Sequence, residues 1–156
     1  MAASFPSAGH DGGDPALDVV HLLPPVAREL LNVYHLASAE GAAASCYWTA
    51  LNFPSEQPES RLLVNPRTTG DQEAETWRRL QEFTPLEKAS ELGDIIAYRR
   101  KSDGRILHVC SYVAADIVFT KNGFGYSAPW CLMRLPDVDA LYHDAATTER
   151  LYFRPR

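Results

Sequence analysis

The chain has 156 residues, 20 acidic and 15 basic side chains, and a formal net charge of −5. Hydrophobic residues make up 46% and charged residues 22%, which is the composition of a globular protein and excludes a disordered or collagen-like chain. The acidic balance argues against a general nucleic-acid binder, and no apolar run approaches the ~20 residues of a membrane span. Three cysteines, an odd and small number, argue against a disulfide scaffold.

The length of the chain predicts a single domain. Residues 1–20 are expected to form a flexible leader, because the chain begins with a segment rich in Gly, Ala, Pro and Asp that contains no Lys or Arg. Residues 21–156 are then the domain. No basic segment followed by an apolar one is visible at the start, so we expect a cytoplasmic address, with export by another route as the alternative.

The first half of the chain is predicted to be helical. Pro24 and Pro25 open a helix through VARELLNVYHL, because a missing N–H costs nothing at a helix start. Residues 37–45 are small and are expected to form a loop, and Ser45 is a good N-cap for a second helix, CYWTALNF. A connection at residues 54–70 precedes a third helix, DQEAETWRRLQEF.

The second half is predicted to form an antiparallel sheet. The segments DIIAYRR, ILHVCSYV, IVFTK and WCLMRL are strand-like, and a Gly-rich loop, NGFGYSAP, precedes the fourth. Residues 86–92 are either one more helical turn or an extended approach to the sheet. A short helix, DVDALYH, and a possible last strand, LYFRP, follow. Helices first and antiparallel strands afterwards predict an α+β fold, with N-terminal helices packed on the sheet.

Cys46 is the candidate nucleophile. It stands at the first turn of the predicted second helix, where unpaired backbone N–H groups and the helix dipole are expected to stabilise a thiolate and lower the thiol pKa. The same N–H groups can donate to an oxyanion that develops on an acyl carbon. A thiolate at this position needs an imidazole to complete the pair.

His108 is the candidate base, because it lies within a rigid strand. By alternation it shares one face with Ile106, Cys110 and Tyr112. The alternative is a buried structural histidine that hydrogen-bonds to the backbone. A metal site made of Cys46, His108 and Cys110 lacks any CxxC or HxxxH spacing, so no metal and no cofactor are expected.

A hairpin that follows His108 is expected to supply the group that orients the imidazole. A two-residue loop sets Lys121 opposite His108. A three-residue loop that ends at Asp116 sets Asn122 there instead. Asparagine can accept a hydrogen bond from an imidazole N–H and lysine cannot, so the chemistry favours Asn122 and the longer loop. The alternative for Asn122 is a simple turn residue.

The segments SCYWTALNF, LGDIIAYR and LHVCSYVAADIVFTKNG together resemble the NlpC/P60 superfamily of papain-like cysteine peptidases and amidases. In that family the nucleophile opens a helix, a GD motif begins the first core strand, and the base lies in the second. The resemblance implies a papain-like core with Cys46 as nucleophile, His108 as base and Asn122 as orienting residue. The GD motif at Gly93 would be structural. Many members carry a His about a dozen residues after the base, and Thr120 stands there.

The resemblance also implies an activity and a substrate. The activity is hydrolysis of an amide bond by thiolate attack, and the substrates are peptidoglycan stem peptides, muropeptides or related small peptides. The alternative is a non-catalytic NlpC/P60-like module that binds without cleaving. Members often line the site with a tyrosine upstream of the nucleophile, which points to Tyr34. Tyr47 and Trp48, beside the nucleophile, are further substrate-binding candidates, and the alternative for Tyr34 and Trp48 is a place in the core.

Overall fold

The computed structural model describes four stretches of the chain, residues 19–34, 44–54, 69–123 and 128–156. Nearly all of the expected leader lies outside the described residues. So do most of the expected loop at 37–45, most of the connection at 54–70 and the middle of the Gly-rich loop. The described residues contain the helices and strands on which the candidate site depends.

The described elements form an α+β fold, as the order of segments predicts. The described part of the chain begins with a 3₁₀ turn and three helices, continues with five strands of the sheet, and has one more helix before the last strand. The helices are the 3₁₀ turn Val19–Leu22, α1 (Pro25–Leu30), α2 (Cys46–Asn52), α3 (Thr69–Leu80) and α4 (Leu135–Tyr142). The strands are β1 (Thr84–Leu86), β2 (Ile95–Arg100), β3 (Ile106–Ala114), β4 (Ile117–Lys121), β5 (Trp130–Arg134) and β6 (Thr148–Arg154).

The six strands form one sheet in the order β1-β6-β2-β3-β4-β5, and neighbouring strands run antiparallel. Strand β3, which carries His108, therefore lies inside the sheet between β2 and β4. Helix α2, which carries Cys46, packs mainly on β3 and β4. The topology thus brings the candidate nucleophile to the strand of the candidate base.

The sheet is covered on both sides by helices. The α2-side core holds residues of α2 together with Val109 and Val113 of β3, and the α4-side core holds Val138 of α4 with Cys110 and Tyr112 of β3. This two-sided burial explains why β3 reads as a nearly continuous apolar run. The α2-side core includes Ala50, Leu51, Val109, Val113, Phe119 and Trp130, and the α4-side core includes Ile96, Tyr98, Cys110, Val118 and Val138.

Helix α1 is shorter than the pattern VARELLNVYHL predicts. It ends at Leu30, and the chain then runs along the edge of β5, where the N–H of Asn32 donates to the carbonyl of Trp130 at 2.8 Å. The N–H of Trp130 donates in turn to the carbonyl of Val33 at 2.9 Å. These bonds satisfy an otherwise open strand edge, and they outweigh the helical spacing of the apolar residues.

The strand β1 is absent from the sequence prediction. Thr84–Leu86 pairs with β6 at the far edge of the sheet, while residues 87–94 turn back towards β2. The possible last strand is confirmed and begins earlier, at Thr148. A three-residue edge strand carries too little alternation to be recognised locally, so its pairing depends on the position of β6.

The GD motif begins β2 and has a structural role. Gly93 has a φ of +88°, which favours glycine over residues with a Cβ. The buried carboxylate of Asp94 accepts from the backbone N–H groups of Ser90 and Glu91, both at 2.8 Å. Arg154 of β6 donates two further bonds, at 2.8 and 2.9 Å. Burial opposes ionisation, but these donors outweigh it and hold the pKa of Asp94 below its ordinary value.

Candidate functional site

Cys46 is the first residue of α2, and the expected N-cap is confirmed. The Ser45 hydroxyl accepts from the N–H of Tyr47 at 3.2 Å and donates to Oε1 of Gln72 in α3 at 2.5 Å. All residues of α2 are buried, and Cys46 itself retains 9% of its accessible surface. The cap and the contact with α3 therefore hold the thiol at a defined point beside the sheet.

Burial dominates the electrostatics of the thiol. It raises the pKa of Cys46 from 9.0 to about 11. The backbone N–H groups of Val109, Tyr47 and Cys46 act in the opposite direction, because they donate to the sulfur. The expected effect of the helix N-terminus is thus present, but the prediction of a depressed pKa is wrong for this conformation. The thiol is protonated near neutral pH.

The imidazole of His108 is held on two sides. Its Nε2 lies 2.8 Å from Oγ1 of Thr120 on β4, and its ring stacks on Tyr142 of α4 with centroids 4.0 Å apart and planes 2° apart. The residue is almost fully buried, and this burial lowers the pKa of His108 from 6.5 to about 3. The ring is therefore neutral near neutral pH, and its bond goes to a side chain rather than to the backbone.

A cavity of about 220 Å³ is lined by both candidate side chains, Cys46 and His108. Cys46 belongs to the α2-side core, whereas His108 contacts Tyr142 and Tyr98 on the other face. Both side chains line one cavity beside the part of β3 that lies beyond the last β3–β4 pair, Ser111–Phe119. In this part of β3 the N–H of Val109 donates to the thiol. The cavity is lined by Ser45, Cys46, Tyr47, Leu107, His108, Gly123 and Tyr142.

Thr120, not Asn122, is the hydrogen-bond partner of the His108 ring. The pairs Ser111–Phe119 and Tyr112–Val118 set the register that the three-residue loop predicts, and extending it places Asn122 opposite His108. The regular pairing of β3 with β4 stops at Ser111–Phe119, before it reaches His108. The imidazole bonds instead to Thr120, which lies two residues before Asn122 in the chain. The amide of Asn122 instead donates to Sδ of Met133, and its Oδ1 accepts from the Tyr142 hydroxyl at 3.5 Å.

The hairpin reaches this register by a different route from the one expected. Ala114 pairs with Ile117 across a two-residue turn, and a register shift at Val113 restores the alignment of the longer loop. The left-handed residue is Ala115, with a φ of +53°, rather than Asp116. A bulge adds one residue to one strand, so it replaces the third loop residue.

One member of the face predicted for His108 is displaced. Cys110 and Tyr112 do lie in the α4-side core, but Ile106 packs in the α2-side core. The cause is a register shift in which Tyr98 pairs with His108 while Arg99 pairs with Ile106, which leaves Leu107 as the extra residue. The bulge turns Leu107 towards the cavity that Cys46 and His108 share.

The three substrate-binding candidates lie in different places. Tyr47 lines the cavity, and its hydroxyl donates to the carbonyl of Ile106 at 2.6 Å. Trp48 is buried in the α2-side core, packs edge-on against Trp130 and is not among the residues that line the cavity, so it occupies the alternative place in the core. Tyr34 is 54% exposed and is not among the described residues that line the cavity.

Sequence reasoning missed Tyr142 and gave Thr120 no role. Val138 and Tyr142 stand four residues apart on α4, and this spacing indicates one helix face directed to the sheet. Thr120 lies in the segment IVFTK, which the sequence predicts to be the strand after that of His108. Neither signal predicts a contact with His108. The spacing on α4 identifies only the helix face directed to the sheet, and the position of Thr120 identifies only its strand.

Comparisons of the chain with protein-family models, with curated proteins and with solved structures find no match. Within the described residues, no helix is long and apolar enough to cross a membrane. The same residues contain no cluster of three or more His, Cys, Asp or Glu side chains suited to a metal ion.

Proposed function

We propose that this protein is a cysteine hydrolase that cleaves amide bonds, with Cys46 as nucleophile and His108 as general base. One observation carries the proposal: the first residue of a capped helix is a cysteine that shares a small cavity with a histidine. The histidine is held through its second ring nitrogen, as an orienting residue requires. The NlpC/P60 resemblance of the same segments supports a papain-like core.

The chemistry begins with transfer of the thiol proton. Base function requires the tautomer in which Nε2–H of His108 donates to Thr120 and Nδ1 is free to accept. The Cys46 sulfur attacks the carbonyl carbon as its proton passes to Nδ1. The oxyanion of the tetrahedral intermediate accepts from the backbone N–H of Cys46.

Collapse of this intermediate breaks the C–N bond. His108 gives its proton to the leaving amine, and a thioester remains on Cys46. Water that His108 deprotonates then hydrolyses the thioester, releases the carboxylic acid and restores the thiol. The substrates we propose are peptidoglycan stem peptides, muropeptides or related small peptides, on the strength of the family resemblance.

The pKa values favour a second candidate, a module that binds without cleaving. A thiol with a pKa of about 11 beside an imidazole with a pKa of about 3 does not form an ion pair. Active cysteine hydrolases depend on thiolate character, so a cavity that keeps the thiol neutral would suit binding without cleavage. Thiol reactivity separates the two candidates.

The test compares Cys46→Ser with Cys110→Ser, since both cysteines are buried near the same strand. Peptide and muropeptide libraries are incubated with each variant, and products are detected by mass spectrometry. Iodoacetamide labelling and thermal melts are run alongside. For an enzyme, Cys46→Ser loses turnover by orders of magnitude while the fold is kept. Cys110→Ser loses about 1 kcal/mol or more of stability and keeps turnover in its folded fraction.

The opposite pattern overturns the enzyme proposal. If no library member is cleaved, and Cys46 and Cys110 label equally slowly in the wild type, then Cys46 is a core residue. A library member that then protects the wild type against thermal unfolding supports the binding module instead.

A further inference from the structure

Tyr142 makes the closest aromatic contact of the imidazole. Its ring lies parallel to that of His108, with centroids 4.0 Å apart, and Tyr142 also lines the cavity that contains Cys46. Tyr98 lies further from the imidazole, at 6.1 Å and tilted by 41°. A parallel stack at van der Waals distance restricts rotation about the last side-chain torsion of the histidine.

The hydroxyl of Tyr142 links this stack to β4. It donates to Oδ1 of Asn122 at 3.5 Å, and the amide of Asn122 is held by Met133 of β5. The imidazole is thus fixed at its edge by Thr120 and over its face by Tyr142. Both supports come from elements other than β3.

We propose that Tyr142 is a positioning residue for His108, and that Asn122 acts on the imidazole through Tyr142 rather than by direct contact. This inference rests on the proposed function, because it assigns Tyr142 the task of holding the base in line with the thiol. A hydrogen bond from Nε2 alone leaves the ring free to tilt about that bond. The stack on Tyr142 restricts this tilt, as a base that must be directed towards the thiol requires.

A second tyrosine of the same core, which does not contact the imidazole, allows a positioning role of Tyr142 to be distinguished from simple packing. Tyr152 of β6 also packs against the α4-side core, and no described contact joins it to His108. Tyr152→Leu therefore removes a comparable aromatic side chain from the same core without touching the imidazole. Tyr142→Phe keeps the stack and removes only the hydroxyl, and Tyr142→Leu removes both.

The experiment uses the full chain and two readouts. The first is the ¹⁵N NMR titration of the His108 ring, assigned by comparison with His108→Gln. In Tyr142→Leu the midpoint should rise from about 3 towards the ordinary 6.5, since the ring loses its cover, and it should stay low in Tyr142→Phe and Tyr152→Leu. The second is turnover of an amide substrate found in the library screen.

For turnover, Tyr142→Leu should lower kcat by up to about 100-fold with a smaller effect on KM, because a misdirected base affects the chemical step more than binding. Tyr142→Phe should lie between this variant and the wild type. Equal losses in Tyr142→Leu and Tyr152→Leu, with the His108 titration unmoved in both, would overturn the inference. If no substrate is cleaved but the titration moves in Tyr142→Leu alone, the positioning contact is supported and only the proposed function fails.

Discussion

Desolvation controls both reactive side chains at the scale of the residue. Cys46 and His108 are each uncharged near neutral pH, because burial raises one pKa and lowers the other. Three backbone N–H groups favour the thiolate of Cys46, and desolvation opposes it. Water or a polar substrate in the cavity would reduce the desolvation and so lower the pKa of the thiol. We therefore expect thiol reactivity to rise when the sulfur is hydrated or contacts a polar substrate.

The hydroxyl of Thr120 is expected to orient the imidazole of His108, and removal of this hydroxyl tests that role. Thr120→Val keeps the volume of the side chain but removes the partner of His108 Nε2. Turnover should fall by up to about 100-fold, because the imidazole loses its orientation. An unpaired ring nitrogen in this buried place should also cost about 1–3 kcal/mol of unfolding free energy. Steady-state kinetics and denaturant unfolding measure the two effects.

Thr120→Ser is the matched control, since it retains the hydroxyl. It should keep turnover within a few-fold of the wild type, while Thr120→Val does not. If Thr120→Val kept the turnover of the wild type, the prediction that Thr120 orients the imidazole would be wrong. If no amide substrate is found, the rate of Cys46 alkylation replaces turnover in the same comparison.

The start of α2 is decisive at the scale of the element. This seven-residue helix is too short to be stable by itself, so its cap, its contact with α3 and its packing on the sheet hold it together. The Ser45 hydroxyl takes part in two of these, because it caps the helix and bonds to Gln72. The position of Cys46 therefore depends on its neighbour in the chain.

Ser45→Ala should destabilise the protein by about 1–2 kcal/mol, the range for losing an N-cap. It should also reduce the rate of Cys46 labelling or turnover, since the first turn of α2 loses its anchor to α3. Thermal melts and alkylation rates test both effects. Ser102→Ala, in the exposed turn between β2 and β3, is the control and should stay within about 0.5 kcal/mol of the wild type. Equal melting temperatures for the two variants would contradict the prediction.

The sheet joins the site to the whole molecule. Helices α2 and α4 cover opposite faces, and the site lies where the β3–β4 ladder ends. The ion pair between Asp94 and Arg154 joins the start of β2 to β6. In the strand order, β6 and β4 lie on opposite sides of the β2–β3 pair. Cys46, His108 and the two side chains that hold the imidazole thus come from four separate elements, α2, β3, β4 and α4, and the sheet brings these elements together.

The buried imidazole predicts how the stability of the whole protein varies with pH. The pKa of His108 is 6.5 in the unfolded chain and about 3 when folded, so the unfolded chain binds more protons between these values. The stabilising contribution is fully present above pH 6.5 and is lost as pH falls towards 3. The slope for this group is at most about 1.4 kcal/mol per pH unit.

Denaturant unfolding between pH 6.5 and about 5 isolates this effect, because carboxylates contribute mainly at lower pH. The unfolding free energy of the wild type should fall across this range. In His108→Gln it should fall less, and the difference between the two slopes belongs to His108. Parallel slopes would show that His108 titrates alike in the folded and unfolded protein, contrary to the prediction.

Local signals in the sequence were enough to predict the class of fold and to select Cys46 and His108, which line one cavity. The cap at Ser45, the alternation of the strands and the turn between β2 and β3 depend on neighbours in the chain, so their pattern is visible without tertiary contacts. The register of β3 and β4 agrees with the expected one, although a two-residue turn with a register shift replaces the three-residue loop and Asn122 does not bond to His108. These features placed Cys46 at a helix start and His108 on a strand that faces it.

The supports and the charge of the site depended on the tertiary structure. Thr120 rather than Asn122 contacts the imidazole because the β3–β4 ladder stops at Ser111–Phe119, and Tyr142 reaches the ring only because α4 folds back over the sheet. The helix N-terminus favours a thiolate locally, yet the pKa of Cys46 rises. The physical reason is that hydrogen bonding to a neighbour is a local property, whereas desolvation sums over every element that packs around a group.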